Sequence, residues 1–166
     1  MTIYLSGFMG CGKTTIGKVL AAKTGLTYTD LDSFIVQCER MSIPNIFAQM
    51  GESYFRQRET QALTTLGDLG GIIACGGGAM LDEKNAVIAR GIGKIVFIDT
   101  PFDVCYSRIE GDLSRPLVVS NTRASLMDLY DHRRSLYLEH SDIQISGIGS
   151  PDSIADVIIE KAMGGK

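Results

Sequence analysis

Tryptophan is absent from the 166 residues, histidine occurs twice and proline four times. The missing tryptophan excludes nothing. His132 and His140 have no metal-binding partner in sequence and are expected at the surface. Cys11, Cys38, Cys75 and Cys105 show no C-x-x-C spacing and no nearby histidine pair. That argues against a zinc site or a disulfide framework and fits a reducing cytoplasm. No apolar run approaches the roughly 18 residues of a membrane span. No basic segment precedes the apolar N-terminal stretch, so neither membrane attachment nor a signal peptide is expected. Basic residues are scarce too, with 16 Lys and Arg against 19 Asp and Glu and a net charge of −3. A nucleic acid partner would want a basic face, and the chain offers none.

What is present is ordinary for a globular chain: 45% hydrophobic and 21% charged residues. The length suits one domain over residues 1–166 with a proper core. With no obvious apolar stripe, a monomer is expected. The most informative run is Gly7-Phe8-Met9-Gly10-Cys11-Gly12-Lys13-Thr14, which matches G-x-x-x-x-G-K-[ST], the P-loop. An apolar strand from Ile3 precedes it and a helix from Thr15 follows, the context that motif requires. Its glycines let successive N–H groups converge on a phosphate at a helix N-terminus. Lys13 would reach the β- and γ-phosphates of a nucleotide, and the Thr14 hydroxyl would ligate Mg²⁺. Cys11 reads as a small filler of that loop.

Strands and helices alternate along the rest of the chain. Strands are expected at Leu26–Asp30, Ile72–Cys75, Lys94–Asp99 and Asp142–Ser146. Helical patterns occupy Ser33–Arg40, Glu52–Asp68, Asp82–Arg90, Phe102–Ile109, Ala124–Glu139 and the segment after Ser150. The implied fold class is α/β, a three-layer α/β/α sandwich on a five-stranded parallel sheet. Glu110 to Pro116 is polar and poorly periodic, as a mobile surface loop would be. Ligands of such sheets bind beyond the carboxyl ends of the strands, which here carry the P-loop, Asp30 with Asp32, and Gly76-Gly77-Gly78.

Two sites compete for the metal carboxylate. Asp99 ends an apolar strand, as a Walker B aspartate does, or else caps the helix starting at Phe102. Asp30 and Asp32 are two apart, which in a strand would put both on one face. Arg56, Arg58, Arg115 and Arg133 are either solvated or forks for a small anionic substrate and a γ-phosphate. The triple glycine would let a ligand approach the backbone closely.

These segments together resemble shikimate kinase. The resemblance rests on Gly7–Gly17, Asp30-x-Asp32, Ile46-Phe47, Gly51-Glu52-x-x-Phe55-Arg56-x-x-Glu59, Gly76-Gly77-Gly78-Ala79, Arg115-Pro116-Leu117 and Arg133-x-x-Leu136-Tyr137. It implies a P-loop kinase fold with strand order 2-3-1-4-5, a lid over about 111–122 and a substrate-binding segment over about 32–60. It also implies transfer of the γ-phosphate of ATP to the 3-hydroxyl of shikimate, a step towards chorismate and aromatic amino acids, with Mg²⁺ as cofactor. By matching position, Lys13, Asp32 and Arg115 would be catalytic. Gly10, Cys11, Gly12, Lys13, Thr14, Thr15, Arg108, Arg115 and Pro151 would bind ATP. Asp32, Arg56, Gly77, Gly78 and Arg133 would bind shikimate. Thr14 would hold the metal directly and Asp30 through water, which turns the choice from Asp99 to Asp30. Phe47, Phe55 and Glu59 would shape the acceptor pocket. The chain departs from the pattern at Ser135, where a proline often precedes Leu-Tyr, and across most of the lid. Rival readings are another small-molecule kinase on the same scaffold, such as a gluconate or nucleotide kinase, and a non-enzymatic ATP-dependent switch.

Overall fold

Three of the strands are apolar enough to be buried, so the chain stacks them side by side and covers both faces with helices. The computed structural model describes residues 1–164. Strands β1 (Thr2–Ser6), β2 (Tyr28–Asp30), β3 (Gly71–Ala74), β4 (Lys94–Asp99) and β5 (Ile143–Ser146) form one sheet of order β2-β3-β1-β4-β5. Every pairing is parallel, with Leu5 opposite Ala74 and Val96, and Asp30 also opposite Ala74. All residues of β1 and β3 are buried, and β5 at the edge alternates as the sequence pattern implied.

The helices are α1 (Lys13–Thr24), α2 (Leu31–Glu39), α3 (Ile43–Met50), α4 (Glu52–Leu69), α5 (Glu83–Ile92), α6 (Phe102–Ile109), α7 (Pro116–Ser120), α8 (Arg123–His140) and α9 (Pro151–Met163). Local chemistry sets their starts: Asp30, Ser42, Asp82, Thr122 and Ser150 each accept a backbone N–H as N-cap. Pro44 falls in the first turn of α3, where its missing N–H is harmless. Helix α1 packs on α9 and across β3.

Three expectations need correction. Asp30 and Asp32 do not share a strand face: β2 stops at Asp30, whose carboxylate caps α2, and Asp32 lies in that helix's first turn. His140 is buried rather than at the surface, with Nδ1 2.8 Å from the Met80 carbonyl oxygen. Asp99 is not a helix cap, since Pro101 precedes α6 without a side-chain cap.

Helix α1 can lie close to the sheet because Gly17 faces it. A Cβ there would meet the Tyr28 ring at 2.7 Å and Leu5 Cδ1 at 3.1 Å. Gly17→Ala gains helix propensity worth about 1 kcal/mol but overpacks this contact, which costs about 1–3 kcal/mol. The variant is expected to unfold at lower urea concentration than wild type, and an unchanged or higher midpoint would refute the tight contact.

Candidate functional site

Parallel register ends β1, β2, β3 and β4 on one edge, and each hands a polar segment to it. The P-loop leaves β1 at Gly7. Backbone φ is +145° at Gly7, +79° at Gly10 and +107° at Gly12, angles an L side chain rarely adopts. Space forbids a side chain as well: a Cβ on Gly10 would lie 2.7 Å from the Cys105 carbonyl oxygen. Lys13 folds over the loop, donating to the carbonyls of Gly7 at 2.6 Å and Phe8 at 3.1 Å. Arg108 of α6 donates to the Gly10 carbonyl at 2.9 Å. Cys11 is buried, and its carbonyl accepts from the Thr100 hydroxyl at 2.9 Å.

A cavity of about 580 Å³ lies over this loop. Its lining includes Gly10, Cys11, Gly12, Lys13, Thr14, Thr15, Asp30, Asp32, Arg108, Arg115 and Pro151. A second cavity of about 520 Å³ is lined by Asp32, Phe47, Phe55, Arg56, Glu59, Gly77, Gly78, Arg115 and Arg133. The two share Met9, Asp32, Gly76, Gly77 and Arg115. Arg58 lies apart, paired with Glu39 on the far side of α4.

The triple glycine meets three charged side chains in turn. A Cβ on Gly76 would sit 2.5 Å from Asp32 Oδ1, one on Gly77 3.4 Å from Arg133 Nη1, and one on Gly78 2.5 Å from Arg56 Nη1. None of these glycines has positive φ, so the requirement here is room and not conformation. Arg56 pairs with the fully buried Glu59 at 2.9 Å and with Glu52 at 3.4 Å. Arg115 pairs with Asp112 at 2.9 Å and stands at the N-terminus of α7, a short helix within residues 111–122 that begins where the expected loop ends. Arg133 lines the second cavity and makes no ion pair with a carboxylate among the described residues.

Sequence reasoning missed Met9, the apolar side chain at the junction of the cavities, because P-loop x positions carry no fixed chemistry. It gave no role to the side chains that hold the site: Tyr137 donates to the Gly77 carbonyl at 2.5 Å, and Tyr130 to the Thr100 carbonyl at 2.8 Å. Their spacing of seven along one helix face was the available signal.

Fold and site together define a P-loop kinase with space for a small acceptor beside its phosphate cradle. The Shikimate kinase family model matches residues 9–163, nearly the whole chain. The chain belongs to the shikimate kinase family. It is 40% identical to a shikimate kinase of Geobacter sulfurreducens over 96% of this chain and 88% of that one. It is 38% identical to one of Persephonella marina, over 95% and 96% respectively. The structure of shikimate kinase from Acinetobacter baumannii in complex with shikimate superposes with a TM-score of 0.90 at 35% identity, covering 99% of this chain and 94% of that one. That of the Aquifex aeolicus enzyme gives 0.83 at 33% identity, covering 99% and 97%.

Burial lifts the Asp32 carboxyl above its ordinary range, and the neighbouring charge of Asp30 adds to this. Lys13 and Arg56 oppose the shift without cancelling it. Between the ordinary and the raised value the native state therefore binds a proton the unfolded chain has released. Wild-type stability falls as pH rises through that interval and stays reduced above it. Asp32→Asn is expected to melt at a higher temperature than wild type at about pH 7.5, with the gap closing at about pH 3.5. Equal melting temperatures at the higher pH would mean that the carboxylate is not desolvated.

Proposed function

We propose that the two cavities are the donor and acceptor halves of one phosphoryl-transfer site, in which ATP passes its γ-phosphate to the 3-hydroxyl of shikimate. The products are shikimate 3-phosphate and ADP, on the route to chorismate and aromatic amino acids. The observation that carries this reading is the shared wall: Asp32, Gly76, Gly77 and Arg115 face both cavities. Phosphoryl transfer asks for alignment and charge compensation more than covalent chemistry, so two ligands meeting at such a wall is what it needs.

The P-loop N–H groups from Gly10 to Thr15 cradle the phosphates, and Lys13 moves from the Gly7 and Phe8 carbonyls onto them. Arg108 and Pro151 flank the adenine. Arg133 and Arg56 grip the shikimate carboxylate, with backbone at Gly77 and Gly78 alongside. Asp32 holds the shikimate hydroxyls, and its raised pKa suits a group that orients or accepts the reacting proton.

Among the described residues no group of three or more His, Cys, Asp or Glu is arranged to hold a metal, and Mg²⁺ needs none. It takes a few protein oxygens and completes its shell with phosphate and water. The Thr14 hydroxyl and Asp30 fit that donor set: Asp30 Oδ1 caps α2 at 2.9 Å from the Ser33 N–H, which leaves Oδ2 for a metal-bound water. When bound, the ion neutralises charge on the β- and γ-phosphates.

The chain works as one domain, a monomer in the cytoplasm, with a lid over about 111–122 and a substrate-binding segment over about 32–60. Gly111 opens the lid at φ +74° with open space around it. The Asp112–Arg115 pair is exposed and weakly held, so closure can exchange it for the γ-phosphate. Closure also excludes the water that would hydrolyse ATP.

Coupled ATP consumption with shikimate, gluconate and nucleoside monophosphates tests the reading. Rapid turnover is expected with shikimate alone; preference for another acceptor, or slow turnover with all, overturns it. Arg115→Ala is expected to lower kcat about a hundredfold or more, by the standard of other catalytic arginines. Near-wild-type turnover would remove Arg115 from the chemistry.

A further inference from the structure

Asp99 ends β4 where the sequence suggested a metal carboxylate, yet its oxygens are engaged elsewhere. Arg134 Nε donates to Oδ1 at 2.9 Å and Nη2 to Oδ2 at 2.6 Å, while Gln144 Nε2 donates to Oδ2 at 2.7 Å. Burial alone would raise this carboxyl, but the hydrogen bonds from Arg134 and Gln144 outweigh it and hold it below its ordinary value.

Arg134 is the chain neighbour of Arg133. Successive residues of a helix point about 100° apart, so whatever fixes the roll of α8 at Arg134 fixes the direction of Arg133. Tyr130 and Tyr137 lie on the same stripe, four residues before and three after Arg134, and donate to the Thr100 and Gly77 carbonyls. Each tyrosine is buried against aromatic rings, Tyr130 on Phe8 and Phe102 and Tyr137 on Phe97, and holds α8 to the sheet through one bond to a backbone oxygen. A planar two-point fork on a carboxylate accepts one orientation.

We propose that Asp99 is a positioning residue for the acceptor site: through Arg134 it sets the roll of α8 and so aims Arg133 at the substrate carboxylate. The proposal rests on the reading that Arg133 binds that carboxylate.

Charge and position make opposite predictions for the two halves of the pair. By charge alone, Asp99→Ala leaves the site more positive and lowers the KM for shikimate, whereas Arg134→Met raises it. By positioning, both raise it. We expect a five- to tenfold rise in each (roughly the scale of contact couplings), with kcat and the KM for ATP within about twofold of wild type. The double variant should add little to either single one. Arg134→Lys keeps the charge and loses the fork. It replaces a half-exposed side chain, so it should fold even where Asp99→Ala does not, and its KM for shikimate should rise as well. An unchanged or lower KM in Asp99→Ala, or a normal KM in Arg134→Lys, overturns the proposal whatever happens to melting temperature. Arg133→Ala run in parallel separates the two readings. If it raises the KM while the Asp99 and Arg134 variants do not, only the positioning fails; if it leaves the KM unchanged, the carboxylate clamp fails and the positioning with it.

Discussion

Everything chemical in this chain depends on the parallel register of its sheet. Side-by-side parallel strands must end on the same edge, and each return crosses the sheet through a helix. A chain that buries Thr2–Ser6, Gly71–Ala74 and most of Lys94–Asp99 inside such a sheet has nowhere else to put the polar residues that follow them. The P-loop, Asp32, the triple glycine and Thr100 are therefore neighbours in space while spread over some ninety positions of sequence. The order β2-β3-β1-β4-β5 puts the P-loop strand in the middle, flanked by the strands that lead to the glycines and to Asp99.

Assembly at that edge costs stability, and the charged groups show where. Asp32 is partly desolvated beside Asp30, and Glu59 is almost wholly out of water, its carboxyl raised by burial even with Arg56 in contact. Removing Arg56 would strand the buried Glu59 carboxyl without its partner, although the arginine itself is more than a third exposed. Arg56 is thus a structural partner of Glu59, whereas Arg133 lines the same cavity with no carboxylate partner among the described residues. The glycines at 76–78 spare the site a further cost by admitting Asp32, Arg133 and Arg56 against bare backbone.

The sheet order came from family resemblance, but strand and helix positions were legible from apolar runs, glycine stops and capping residues. Burial is what made those runs apolar, so the signal and its cause coincide. The errors share a different cause. Asp30 and Asp32 looked like strand residues because spacing carries no sign of where a strand ends. The Ser33 N–H, three residues beyond β2, recruits Asp30 as a cap and starts a helix there. His140 looked like a surface residue because its partner, the Met80 carbonyl, is sixty positions away. Asp99 followed the metal-carboxylate pattern faithfully, and Arg134 and Gln144, thirty-five and forty-five positions on, show what occupies it.

Those long-range partners converge on α8. It meets the donor side where Tyr130 reaches Thr100, whose hydroxyl holds the P-loop at Cys11. It meets the acceptor side where Tyr137 reaches Gly77, and His140 reaches Met80 just beyond. Between these anchors it presents Arg133, and its N-terminus follows directly from the segment that carries Arg115 and α7. One rigid helix thus spans both halves of the site. A phosphoryl group moves between atoms that must be held within a few tenths of an ångström of alignment, and loops at separate strand ends supply no common ruler. Helix α8 supplies it, because any shift of its axis moves the Thr100 contact, the Gly77 contact and Arg133 together.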